Sequence, residues 1–412
     1  MENKKISLPL DRKMRRAGEK VKDVVVNKGK QNMIIIAALV VLALIFYILN
    51  PNFFSSYNIV SMTQSLAPYA VLALGVTFVI ATGGIDLSIG TVCIASAVLA
   101  GFFYTKGMPL WLTIPVMIGI GGLFGLLNGF LVAKLKLPAF IATLGTMMLS
   151  RGLSAIIVSD PNIFYPSGTW FNSAFSNLNG FPIGIVWVLG LMLLCMYLMY
   201  KNKIGRYILS IGSNEEATRL SGINTDKYKM LAYVFCGIGA GVAAIFWAAS
   251  FTTVASATGN GMELDAIAGV YIGGTSAAGG IASVAGSVIG NIMLVVIRSG
   301  LNFVLSRFSL NMNSTYVTYV LTGIIVVAAV LMDTIKNKRA MKVKADNPKQ
   351  KLKKHYEERK AALNDGIDGI LTDGSISEEE RKSRAAVLFD ELAKLKADYV
   401  AETEKLKNNV KA

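Results

Sequence analysis

The sequence predicts an all-α, polytopic membrane protein of about ten transmembrane helices, with an internal repeat and a C-terminal cytoplasmic helical hairpin. Three observations lead there. Charge is expelled from the middle of the chain: of 412 residues 53% are hydrophobic and 16% charged, and the segment 32–335 holds only 20 of the 67 Asp, Glu, Lys and Arg residues. Apolar runs long enough to cross about 30 Å of hydrocarbon recur through that segment. The basic residues between those runs fall on alternate sides, as insertion favours. Three regions follow: a basic cytoplasmic tail, 1–31, with 10 Lys/Arg against 4 acids; a transmembrane domain, 32–335, containing a charged loop at 201–229; and a cytoplasmic helical extension, 336–412, with 19 Lys/Arg against 14 acids.

In order, the spans are Met33 to Leu49, Ile59 to Ala81, Ile85 to Phe103, Leu110 to Ala133, Pro138 to Val158, Pro182 to Tyr200, Met230 to Ser250, Leu264 to Ile281, Ser283 to Leu305 and Thr315 to Met332. The first reads as an uncleaved helix, because the following "NPNFFSSYN" offers no small-residue cleavage site. The eighth is broken by glycines. With the N-terminus in the cytoplasm, 37 of the 41 Lys/Arg fall in cytoplasmic segments, only Lys106 and Arg307 lie outside, and Arg151 and Arg298 fall within spans. Both termini are therefore expected in the cytoplasm. The outer loop from Ser159 to Phe181 carries one charge and several aromatics, which suits either an extracellular partner or rest at the membrane interface.

Several function classes lose support. The net charge of +15 sits on segments flanking apolar spans, where anionic lipid accounts for it better than nucleic acid does. Cys93, Cys195 and Cys236 show no C-x-x-C spacing, and His355 has no second His or Cys near it, so neither a metal site nor a histidine-based triad is indicated. No catalytic residue is expected.

Unsatisfied backbone in hydrocarbon is costly unless it is buried in protein or lines a polar cavity, so interruptions within spans carry the most weight. There are two. "ATGGIDLSIGTV" places Asp86 just past a Gly pair, and "GNGMELDAIAGVYIGGTSAAGG" places Glu263 and Asp265 before a glycine-rich span. A carboxylate at the start of a helix can simply cap it. Paired interruptions at corresponding points of two halves can also mark an internal repeat around a translocation path. Arg151 and Arg298 are expected to snorkel or to pair inside the bundle. The loop 201–229 contains a short surface helix over 213–220, with Ser213 or Asn214 as cap and Glu215 and Glu216 in its first turn. It is either a solvated connector or a rigid handle for force from a soluble motor. No G-x-x-x-x-G-K-[ST] phosphate loop is present, so the motor is not in this chain.

Four strings, "LGVTFVIATGGIDLSIGTV", "KLKLPAFIATLGTMMLSRGL", "IGSNEEATRLSGI" and "MELDAIAGVYIGGTSAAGG" with the later "GSVIG", resemble the signature regions of the ribose/galactose-type permeases of bacterial ABC importers. The resemblance implies a multi-pass permease of the bacterial inner membrane that pairs with a second copy or paralogue. It also implies docking of a cytoplasmic ATP-binding subunit and receipt of a monosaccharide from an extracytoplasmic binding protein. ATP and Mg would belong to the partner ATPase, and no cofactor to this chain. Glu215, Glu216, Ala217, Ser221 and Gly222 would contact the ATPase, and Thr82, Asp86, Phe140, Thr143, Glu263 and Asp265 would lie near the pathway. "ASATGNGMELDAI" leans toward galactose or glucose, with ribose or xylose remaining open, and a nucleoside permease is the alternative within the family. From another class, an ion-coupled carrier would use Asp86, Glu263 or Asp265.

The extension lies outside that resemblance. Residues 348–363 have helix-forming composition, and "NDGIDGILTDGSIS" reads as a turn. Ser377 and Glu380 form a capping-box signature that opens a helix to about Asn408, with a seam of Leu388, Leu392, Leu395, Tyr399 and Leu406. A calcium loop is rejected because Gly369 and Leu371 would occupy ligand positions without a side-chain oxygen.

Overall fold

The computed structural model describes residues 32–33, 35–158, 162–307, 348–372 and 376–408, with isolated positions between 316 and 335. It divides into two units, 1–333 and 334–412. In the first unit, helix α1 (Ile35–Leu49) leads to a 3₁₀ turn, Pro51–Phe54, where the Asn50 side chain accepts from the Asn52 amide. Ser55 then caps α2 (Ser56–Ala81), which is buried at every position from Leu66 to Ala81 except Tyr69. A helix that is apolar on all sides belongs at the centre of a bundle. α3 (Ile89–Thr105), α4 (Leu110–Gly129), α5 (Ala139–Ile157) and α7 (Gly184–Met196) follow, with the six-residue α6 (Trp170–Phe175) before α7. α4 and α7 each end in one wide π turn, Phe130–Lys134 and Tyr197–Lys201, which carries the chain into charged loops.

The loop 201–229 holds more structure than expected. An additional amphipathic helix, α8 (Lys203–Ser213), buries Gly205, Ile208 and Ile211 and is followed by α9 (Glu215–Leu220). α10 (Thr225–Phe251) then returns through the centre beside α2. Its contact with α4 is made by glycines spaced four apart on both helices, Gly121 and Gly125 against Gly237 and Gly241. Small residues at that spacing let two membrane helices approach until their backbones touch. A Cβ placed on Gly237 would come within 2.7 Å of the Gly125 backbone, whereas one on Gly119 would meet nothing within 4 Å. Gly237→Val should therefore cost about 1–3 kcal/mol or more through overpacking. Gly119→Ala, which only removes a helical glycine, should be neutral or stabilising. Thermal unfolding in detergent compares the two, and equal melting temperatures would refute the close crossing.

Two predicted spans change shape. The third does not begin at Ile85, since residues 82–88 are irregular and α3 starts at Ile89. The eighth is not a single helix long enough to cross on its own. α11 (Met262–Ile272) is 11 residues long, about 16 Å at 1.5 Å per residue, and residues 273–283 turn back without helix. Gly279 and Gly280 adopt φ of +82° and +75°, conformations that other residues rarely reach, and the Gly280 amide donates to the Ala81 carbonyl at 3.0 Å. α12 (Val284–Arg307) closes the unit as described. Among the described residues six helices are long and apolar enough to cross a membrane, with α1 and α3 as shorter apolar helices. The predicted tenth span falls partly outside the described residues, and the tail 1–31 wholly so.

The aromatic loop packs onto the bundle rather than lying free. β1 (Ile163–Phe164) pairs antiparallel with β2 (Thr253–Val254), Phe171 is fully buried, and the Tyr165 hydroxyl donates to the Ala97 carbonyl at 2.6 Å.

In the second unit α13 (Pro348–Thr372) continues straight through the "NDGIDGIL" stretch that reads as a turn. Composition misleads there because tertiary packing uses the glycine: Gly366 lies against Leu388, and Ile367 is buried. α14 (Glu378–Asn408) starts where predicted, with the Ser377 hydroxyl accepting from the Glu380 amide at 3.3 Å. Tyr399 stacks on Tyr356 with ring centroids 4.3 Å apart. Leu388, Leu392, Leu395 and Tyr399 are all half-buried, while the side chain of Leu406 lies outside the described residues.

Candidate functional site

The irregular segment after α2 turns because Gly83 takes φ +82°, which brings Asp86 into the bundle at 1% exposure. Asp86 does not cap α3. Its Oδ1 accepts from the amide and hydroxyl of Ser88 at 2.9 and 2.7 Å, and the Asn128 amide of α4 reaches its Oδ2 at 3.3 Å. Asn128 also donates to the Ser88 hydroxyl at 2.8 Å and accepts from Thr146 of α5 at 2.6 Å, and Ser150 donates to Thr91 at 2.9 Å. One buried carboxylate thus ties the start of α3 to α4 and α5. In a bilayer such a network persists only when its members are paired.

Between this network and the loop 201–229 lies a cavity of about 680 Å³, lined among others by Thr82, Gly84, Lys136, Glu215, Glu216 and Tyr233. Tyr233 forms its floor, with the hydroxyl donating to the Ile85 carbonyl at 3.3 Å. α9 is fixed on the rim by ion pairs. Lys229 meets Glu215 at 2.5 Å, Arg219 meets Glu215 at 3.2 Å, and Lys136 from the α4–α5 connection bonds Asp226. Partial burial pushes the Glu215 carboxyl upward in pKa, but the hydrogen bond and charge of Lys229, with Arg219 and Lys136 behind it, outweigh that and hold it below the usual glutamate range. Asn214 caps α9 by accepting from the Ala217 amide at 2.9 Å. The helix therefore turns Glu215 and Thr218 inward and exposes Glu216, Ala217, Ser221 and Gly222, together with Leu220 at 81%.

The other predicted residues occupy separate places. Glu263 starts α11 against Gly90 at the start of α3, and its Oε2 has no hydrogen-bond partner among the described residues. The N-termini of the two short helices therefore meet. Asp265 pairs with Arg298 of α12, whose guanidinium lies 5.0 Å from the centre of the Tyr69 ring. Arg151 bonds Asn260. Thr143 is buried and donates to the Ala139 carbonyl at 2.8 Å, and Phe140, 56% exposed, points away from the bundle. The six pathway candidates thus do not form one pocket. Thr82 joins Glu215 and Glu216, Asp86 sits behind them, and Asp265 belongs with Arg298.

Sequence reasoning missed Asn128, Tyr233 and the Lys136–Asp226 link. Asn128 was visible as an amide inside an otherwise apolar span, whereas the other two depend on which helices touch. Among the described residues no group of three or more His, Cys, Asp or Glu could hold a metal ion.

Residues 58–330 match the family described as branched-chain amino acid transport system / permease component. The ribose import permease protein RbsC of Escherichia coli K12 is 35% identical over 311 residues, covering 73% of this chain and 92% of the relative. The fructose import permease protein FruF of Bifidobacterium longum is 33% identical, with 70% and 83% covered. The L-arabinose transport system permease protein AraH of Escherichia coli K12 is 31% identical, with 74% and 90% covered. No solved structure matches. With a family match that spans most of the bundle and relatives aligned along nearly their whole length, this chain belongs to the family of transport-system permease components.

Proposed function

We propose that this chain is the membrane-spanning subunit of an ATP-driven bacterial importer that moves a neutral monosaccharide into the cytoplasm. The observation that carries it is α9, a capped, ion-paired helix that presents Glu216, Ala217, Leu220 and Ser221 outward while Thr218 bonds Ser210 of α8 and Arg219 bonds Thr225 at the start of α10. α8 brings Gly212 against the backbone of Ala81 and Gly280, so a push on the loop reaches both α2 and the turn after α11. The ribose, fructose and arabinose permeases among its relatives support a sugar as cargo, and galactose or glucose remains the leaning of the 255–267 spacing.

In this reading the loop 201–229 and both termini are cytoplasmic, the membrane domain has ten spans, and the two short helices that meet at Gly90 and Glu263 belong to an internal repeat. ATP closes the partner subunits, α9 moves with them, and the cavity at Thr82 and Tyr233 alternates between sealed and open. A second permease copy or paralogue and an extracytoplasmic binding protein complete the assembly. The extension 336–412 forms a cytoplasmic helical hairpin.

The deciding experiment is uptake into proteoliposomes holding this chain with its copurified ATPase and binding protein. The panel is ribose, arabinose, fructose, galactose, glucose, xylose, a nucleoside and leucine. Uptake of one sugar only with ATP is expected, and ATP-independent uptake that follows an ion gradient would replace this reading with an ion-coupled carrier. Docking is tested separately. Because Glu215 is held within the loop by Lys229, the informative change is Glu216→Lys with Leu220→Glu. It should reduce ATPase copurification roughly tenfold, as loss of an interface anchor does, at normal membrane insertion, and full copurification would remove α9 as the docking element.

A further inference from the structure

A second cavity, of about 270 Å³, lies at the far ends of α2, α10 and α12 from α9. Its walls include Asn58, Ser65, Tyr69, Trp247, Arg298 and Asn302. Tyr69 is about 18 Å along α2 from Ala81 at 1.5 Å per residue, so the cavity and the Thr82 compartment are separated by the packed middle of the bundle. In the proposed orientation this cavity faces the extracytoplasmic side.

The geometry points to this cavity as the permease's own acceptor site for a single neutral monosaccharide arriving from outside. The inference rests on the sugar-importer reading above. Three observations carry it. The volume lies just below the ~300 Å³ at which pockets for drug-sized ligands begin, which suits one sugar ring and excludes a peptide or dinucleotide. Tyr69 and Trp247 make an aromatic corner, with ring centroids 6.5 Å apart at 72°, against which the C–H face of a sugar ring can rest. Trp247 is 9% exposed, and its Nε1–H has no hydrogen-bond partner among the described residues. A buried donor left without an acceptor is supplied with one when a hydroxylated ligand enters.

The electrostatics choose the class of ligand. Asp265 neutralises Arg298, so the cavity offers guanidinium and amide donors without net charge. An amino acid's carboxylate or a sugar phosphate would find no unpaired cation, whereas a neutral polyol needs none. The wall is also held in place before the ligand arrives. Asn58 donates to the Phe53 carbonyl at 2.7 Å and accepts from Ser299 of α12 at 2.8 Å, which fixes α2 against α12.

The test uses the complete importer in proteoliposomes. Ser65→Trp fills the cavity and should lower ATP-driven sugar uptake roughly tenfold or more, as an overfilled site does, with the ATPase still copurifying. Trp247→Phe keeps an aromatic ring but removes the donor and should lower uptake severalfold. Should Ser65→Trp fail to insert, Ser65→Cys decides: a membrane-impermeant thiol reagent should modify it from outside, and the transported sugar should slow that modification, with the unmodified chain as background. If the wild-type importer moves a sugar while Trp247→Phe transports normally and the sugar gives Ser65→Cys no protection, the cavity is not the acceptor site and the sugar-importer reading stands. If the wild-type importer moves leucine with ATP and no sugar, both readings fall.

Discussion

Arg298→Leu is expected to destabilise the protein by about 3–5 kcal/mol, because it leaves the Asp265 carboxylate buried without its partner. Asp265 has 7% and Arg298 24% of its side chain exposed, and the guanidinium also lies over Tyr69, so the substitution removes an ion pair and a cation–π contact together. Replacing both charges, Arg298→Leu with Asp265→Leu, should recover most of that loss, since two apolar side chains of similar size carry no desolvation penalty. Thermal unfolding of the two variants in one detergent measures the difference. Equal destabilisation of the single and double variants would show that the pair is not what holds α11 to α12. Sugar uptake should stay low in the double variant even when stability returns, because the cavity beside Tyr69 loses its guanidinium. That separation of stability from transport distinguishes a binding role from a structural one.

Asp86→Ala is the second large effect. The carboxylate accepts from the Ser88 amide, the Ser88 hydroxyl and the Asn128 side chain. Hydrogen bonds to a charged group contribute about 1.5–3 kcal/mol each, and donors left unpaired in the interior add their own penalty. The shared donors make the sum less than additive, so a loss above about 3 kcal/mol is expected, with transport abolished. Asp86→Asn keeps one acceptor oxygen for Ser88 but turns donors toward Asn128, and it should fall between the two. Membrane yield, thermal unfolding and uptake give three readouts. Normal stability and uptake in Asp86→Ala would remove the network from both the fold and the mechanism.

Much of the bundle was legible in one dimension because membrane helices must satisfy their backbone internally and bury no unpaired charge. The apolar runs 59–81, 110–133, 138–158, 182–200 and 283–305 each became a single long helix, and 230–250 became the core of a longer one. The short helix at Glu215, its Asn214 cap and the Ser377 cap were equally local, being set by residues three positions apart. The misreadings have one cause as well. Glycine is permissive locally, so its role depends on what stands opposite. In 273–283 it turns the chain back against Ala81, in α13 it admits Leu388, and in α4 and α10 it lets two backbones touch.

The sequence by itself determined that this chain is a helical membrane protein, that two carboxylate-bearing segments interrupt its spans, and that its ends are basic. Those properties follow from composition and periodicity along the chain. Only the tertiary structure decided that Asp86 binds Ser88 and Asn128 rather than capping a helix, that Asp265 neutralises Arg298, that Glu215 faces Lys229 while Glu216 faces solvent, and that Tyr69, Trp247 and Asn58 share one cavity. Apart from the local Asp86–Ser88 bond and the exposure of Glu216, each of these brings together residues 14 or more positions apart, fixed by which helix faces are buried together and invisible to any local pattern.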